Sequence, residues 1–131
     1  MEGYNRGVAT VVERLIAFFN TRENVAAVYL FGSAATGTDR PDSDLDVAVL
    51  FQRPPARVLN GPRFEMEGEL EAVFGRPVDL VVLNDAATDL AIRVLRHGRL
   101  LIAQMPAVRI GFEVRTRNEA FDLEPVLTQY R

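Results

Sequence analysis

Cysteine is missing from this chain, which removes disulfides and thiolate metal sites. Histidine occurs once, as His97, where the surrounding pattern reads as the last turn of a helix, so no imidazole-based catalysis is indicated. No apolar run approaches the roughly 18 residues of a membrane-spanning helix, and the N-terminus lacks the charged start and apolar stretch of a signal peptide. A soluble cytoplasmic protein without membrane contact is the expectation. Excess positive charge is absent as well: 15 basic residues stand against 18 acidic ones, a net charge of −3, so direct nucleic-acid binding through bulk charge is not expected. The common glycine-rich phosphate loops are missing too. No G-x-G-x-x-G occurs, and although Gly32 and Gly37 have Walker A spacing, Thr38 and Asp39 stand where that loop requires Lys and Ser or Thr. Neither internal repeats nor low-complexity segments are present.

What is there suffices for one compact core: 48% of the 131 residues are hydrophobic, and a second domain has no room. Val8, Val11, Val12, Leu15, Ile16 and Phe19 recur at helical spacing. Val25 to Phe31 is a short apolar run that ends at Gly32 and reads as a buried strand, and Leu45 to Phe51 repeats the pattern. Between them, Ser33 to Ser43 predicts a short helical turn and then a loop in which Asp39 and Asp42 form turns. After Pro54 and Pro55, a second helix carries Phe64, Met66, Leu70, Val73 and Phe74 and stops at Gly75, with Glu65, Glu67, Glu69 and Glu71 on a solvated face. Pro77 to Leu83 is a third strand candidate. Asn84 or Asp85 caps a third helix that buries Leu90, Ala91, Val94 and Leu95 and ends at Arg96, His97 and Gly98. Arg99 to Ala103 adds a fourth strand. This order predicts an α/β domain of the α+β two-layer kind, a small mixed sheet packed by helices, with its first two strands antiparallel because so few residues join them.

Chemistry concentrates in "FGSAATGTDRPDSDLDVAVLF", residues 31 to 51. Alternation along a strand puts Asp44 and Asp46 on one face and Leu45 and Val47 on the other. Two adjacent carboxylates raise each other's pKa unless a cation lies between them. Hard oxygen donors without His or Cys favour Mg2+, or Mn2+, over zinc. Asp79, in "PVDLVVL", is the natural third ligand if its strand lies beside the second, and three acids can hold two ions. At the other end of the stretch, Gly32 lets the backbone approach a ligand closely, and Ser33 offers a hydroxyl and an amide suited to phosphate. Phosphate on one side and metal on the other describe a metal-bound nucleoside triphosphate.

Gly-Ser, ten residues, then Asp-x-Asp, in "GSAATGTDRPDSDLD", with a later strand acid at Asp79, resembles the signature of the DNA polymerase β-like nucleotidyltransferases. The likeness runs from about Val25 to Leu83 and is similar to the minimal nucleotidyltransferase branch. The resemblance implies the nucleotidyltransferase fold, with catalytic and metal-binding Asp44, Asp46 and Asp79 and a nucleotide site of Gly32, Ser33, Asp44 and Asp46. It also implies an antitoxin that transfers AMP from ATP, with two Mg2+ ions, to a tyrosine of a partner HEPN-domain toxin. Ala34 stands where relatives often carry a basic residue, and Arg40 is the loop residue that could supply that charge. Transfer to a small molecule such as an aminoglycoside, and neutralisation of the partner by binding alone, are the alternatives. Residues 1–105 form the nucleotidyltransferase domain in this reading, and 106–131 a C-terminal helix and tail that binds the partner. There, Val108, Ile110, Phe112 and Val114 predict a helix packed on the domain before Asn118. Pro125 ends or kinks any helix, and Leu123, Val126, Leu127, Tyr130 and Arg131 leave the core as an interface.

Overall fold

The computed structural model describes residues 2–37, 43–56, 58, 59 and 61–129, with only the backbone path given for 2–10 and 123–129. Helix α1 (Glu2–Phe19) precedes strand β1 (Val25–Phe31), and the four-residue helix α2 (Ser33–Thr36) follows it directly. Strand β2 (Leu45–Phe51), helix α3 (Pro62–Phe74) and strand β3 (Val78–Val82) come next. A 3-10 turn (Leu83–Asp85) leads into helix α4 (Thr88–His97), strand β4 (Arg99–Ala103) and helix α5 (Pro106–Gln129). The loop expectations at 38–42, including Asp39, Arg40 and Asp42, fall outside the described residues.

The sheet runs β3-β2-β1-β4, with β1 antiparallel to both neighbours and β2 parallel to β3. A parallel pair needs a long crossover, and α3 supplies it. Six of the seven β1 residues are buried because helices cover both faces of the sheet. One layer packs Leu15 and Phe19 of α1 and Leu70 of α3 against Val28, Leu30, Leu45, Val47, Val49 and Leu80. The other packs Ala91 and Val94 of α4 and Phe112 of α5 against Ala27, Tyr29, Ala48 and Leu50. Alternation sorts β2 cleanly between the two layers, as its sequence pattern indicates.

Helix α5 is fastened by polar groups as well as by Phe112. The Tyr29 hydroxyl donates to Glu113 Oε2 at 2.6 Å, and Arg109 Nη1 donates to the same oxygen at 3.1 Å. Burial first, and then the Glu113 carboxylate, push the Tyr29 phenol well above its ordinary range. Burial pushes Glu113 upward, but the Tyr29 hydroxyl with Arg109 and Arg117 outweighs it and leaves that carboxyl below its ordinary value.

Four expectations need correction. Neither Asn84 nor Asp85 caps α4, whose N-cap is Ala87 without a side-chain hydrogen bond. The Asn84 amide is committed elsewhere: Oδ1 accepts from the Phe51 N–H at 2.9 Å and Nδ2 donates to the Phe51 carbonyl at 2.8 Å, continuing the ladder where β2 ends. The third strand is shorter than Pro77 to Leu83, because Pro77 has no N–H to pair and Leu83 turns into the 3-10 segment, where it is buried. Of the two expectations for Pro125, that it ends or that it kinks a helix, the ending is corrected: α5 continues to Gln129. A proline there forfeits one bond, to the carbonyl of Phe121, and that residue is 73% exposed, so water can serve the orphaned oxygen. Nor do the glutamates of α3 form a merely solvated face. Glu67 accepts the Leu80 N–H at 2.9 Å and Glu71 the Val78 N–H at 3.0 Å, while Arg63 Nε donates to the Leu80 carbonyl at 3.0 Å.

Those three side chains occupy outward backbone groups of Val78 and Leu80 on an edge strand. Replacing Glu67 and Glu71 together by Ala should cost about 1–3 kcal/mol of stability in urea denaturation, since charged acceptors are lost from a backbone that must then turn to water. An unchanged midpoint would show that these bonds add nothing to the fold.

Candidate active site

The site lies at the end of the sheet where β1 finishes and β2 and β3 begin. Phe31, the last residue of β1, pairs in register with Asp46, and Asp46 pairs with Asp79 across the parallel ladder. Register partners share a face, so Asp46 and Asp79 project together on the side opposite Leu45, Val47, Val78 and Leu80. Asp44 sits immediately ahead of β2, two residues from Asp46.

Beyond Phe31 the chain turns at Gly32, with φ 73 and ψ −153, a conformation that essentially only glycine adopts. The absence of a side chain is used here. A Cβ at Gly32 would overlap Asp46 Oδ2 and lie 3.1 Å from Asp46 Cγ, so the turn packs directly on the carboxylate. Ser33 opens α2 beside it. Ala34 is 5% exposed and belongs to the core layer of Leu45 and Val47, so its methyl faces away from any ligand.

Burial, then Asp79, then Asp44, hold the Asp46 carboxyl above its ordinary value, and the Arg76 cation pulls the other way. Arg76 is the residue that the sequence pattern did not single out. It lies in the turn between α3 and β3, and its Nε donates to the Ser43 carbonyl at 2.8 Å. A basic residue three positions ahead of a strand acid was the available signal.

The donor set suits a hard divalent cation: carboxylates whose mutual repulsion is already felt, with no competing soft ligand. Among the described residues no group of three acids is drawn together as a ready-made metal cage. Clefts of about 360 and 160 Å3 open elsewhere, the larger between β3, the 3-10 turn and Leu90, and neither is lined by the three aspartates. Of the two register-paired acids, Asp79 is exposed and Asp46 half-buried.

A glycine turn thus packs on one of two register-paired acids at the end of a mixed sheet. Residues 13–106 match the family model for polymerase beta, nucleotidyltransferase, and the chain belongs to that family. It is 40% identical over 75 residues to a protein adenylyltransferase, MntA, of Shewanella oneidensis. That match takes in 56% of this chain and 51% of the relative, so the chain spans about half the length of this curated relative. A crystal structure of a toxin-antitoxin with AMP-PNP is similar over 91% of this chain and 94% of that one, with TM-score 0.77 and 27% identity. The MNT antitoxin complexed with a tri-AMPylated Shewanella oneidensis HEPN toxin shares the fold at TM-score 0.73 and 23% identity, over 94% of each chain. No helix among the described residues is long and apolar enough to cross a membrane.

The raised Asp46 pKa has a stability consequence of definite sign. Because the folded protein favours the neutral acid, its contribution is full below the ordinary value of 3.8 and is lost as pH rises through the elevated value. Asp46→Asn, which keeps the shape without the charge, should therefore be at least as stable as the parent at neutral pH, the two converging in acid. Denaturation across that pH range checks it, and a less stable Asn variant at neutral pH contradicts it.

Proposed function

We propose that this protein transfers AMP from Mg–ATP to a tyrosine hydroxyl of a partner HEPN-domain toxin in the cytoplasm, and so silences it. The observation that carries the reading is the Gly32 turn packed on Asp46, with Asp79 as its register partner. Asp44, Asp46 and Asp79 are the residues that would hold Mg2+, or Mn2+. The bound ions would neutralise the triphosphate and lower the pKa of the acceptor hydroxyl. Gly32 lets the backbone come close to the phosphates, and Ser33 presents a hydroxyl and amide to them. The tyrosine oxygen attacks the α-phosphorus, the bond to the bridging β-phosphate oxygen breaks, and pyrophosphate departs. The tyrosine proton would pass to solvent beside the exposed Asp79. No side chain of the protein becomes covalently attached, so positioning and charge neutralisation supply the rate.

The test is incorporation of label from α-labelled ATP into a co-purified HEPN toxin. Wild type should label the toxin in the presence of Mg2+, and Asp46→Asn should abolish labelling while remaining folded. Normal labelling by the variant would remove the acids from the chemistry, and labelling of an aminoglycoside instead of the toxin would redirect the acceptor.

The stretch 106–131 is, in the same reading, the part that meets the toxin. Ile110 and Val114 are each 50% exposed one turn apart, on the side of α5 away from the buried Phe112 and Thr116, and Phe121 continues the apolar surface. Likeness to the toxin-antitoxin structure over 91% of the chain extends into this helix. The tail side chains from Leu123 to Arg131 lie outside the described ones, and Ile110 and Val114 carry the test in their place. Ile110→Glu with Val114→Glu should lower toxin labelling several-fold at limiting toxin while nucleotide binding is unchanged. Equal labelling would mean that the toxin docks elsewhere.

A further inference from the structure

Two hydrogen bonds bracket Asp44. The Arg76 side chain donates from Nε to the Ser43 carbonyl at 2.8 Å, and the Leu45 N–H donates to the Pro77 carbonyl at 2.9 Å. Consecutive residues of the α3–β3 turn thus grip the residues on either side of Asp44. Leu45 is also register partner of Val78, so the grip lies next to the start of the parallel ladder. Asp44 itself is outside β2 and lacks the ladder that orients Asp46. Arg76 is half-buried, and its planar guanidinium can keep Nε on a carbonyl while its far edge meets other groups, a geometry that an ammonium cannot copy. Gly75, with φ 65, ends α3 in the left-handed cap that turns the chain toward Arg76.

We infer that Arg76 is a positioning residue for the acid site, fixing the main chain at Asp44 through the Ser43 carbonyl and so limiting where the Asp44 carboxylate can stand when a metal ion is taken up beside Asp46. The inference rests on the metal-dependent reading above. It differs from a purely electrostatic role in the sign of its effect. A cation whose field reaches Asp46 repels an incoming divalent ion, so if charge were all that Arg76 contributed, removing it would tighten metal binding and Lys would substitute for it without loss. Groups that orient metal ligands act the other way.

The experiment is Mn2+ titration of the full-length protein by electron paramagnetic resonance, without nucleotide or toxin, for wild type, Arg76→Ala and Arg76→Lys. Binding should weaken by about tenfold or more in Arg76→Ala and remain several-fold weak in Arg76→Lys, within the range known for groups that orient metal ligands. Toxin labelling by Arg76→Lys should then show a lowered kcat with an ATP KM little changed. Tighter or unchanged Mn2+ binding by Arg76→Ala overturns the inference, as does full recovery by Lys. If Ala does not fold, the Lys variant decides alone. Failure of the functional reading looks different: wild type itself would bind no Mn2+ and label no toxin, and the inference would fall with it.

Discussion

Everything at the site follows from the pairing of β2 with two unlike neighbours. Because β2 runs antiparallel to β1 and parallel to β3, the end of one strand and the beginnings of two others meet at a single margin of the sheet. A strand end brings a turn, and two strand beginnings bring side chains of matching phase. The register that opposes Asp46 to Asp79 is locked by the core layer behind it. A slip of one residue would drive Leu45, Val47 and Val49 out of contact with α1 and α3 and turn the acids inward. The apolar face therefore fixes the polar one.

The like-charge repulsion at Asp46 marks what this costs. A packed domain ordinarily disperses its carboxylates, and here Asp46 is half-buried within the field of Asp79 and Asp44. A cation bound there would relieve that repulsion and so stabilise the same sheet end. Gly32 serves both demands at once. It has no side chain to collide with Asp46, and its positive φ would strain any replacement.

Strand positions were legible in the sequence because burial on both faces leaves an apolar run with sharp ends, and the bounds Val25–Phe31 and Leu45–Phe51 are those observed. Gly-Ser and Asp-x-Asp were legible for the same reason: polar residues interrupt a pattern that has no other use for them. What local pattern could not give was pairing between distant side chains and backbone. Glu67 and Glu71 have the spacing of any exposed helical face, and only the position of β3 turns them into acceptors. Asn84 looks like a cap from its place before a helix, yet the end of β2 competes for the same amide with two bonds. Arg76 had only its place three positions ahead of Asp79 to mark it, because its partner is a main-chain carbonyl, which carries no sequence signature of its own.

The covering of β3 by α3 also limits how copies of this protein can associate. A sheet with both margins open can be extended at either side by strands of other molecules, without end. Here the β3 margin is occupied by the protein's own carboxylates and guanidinium, which leaves β4 as the strand at the other border. Another copy adding a strand at β3 would have to displace these side chains from Val78 and Leu80.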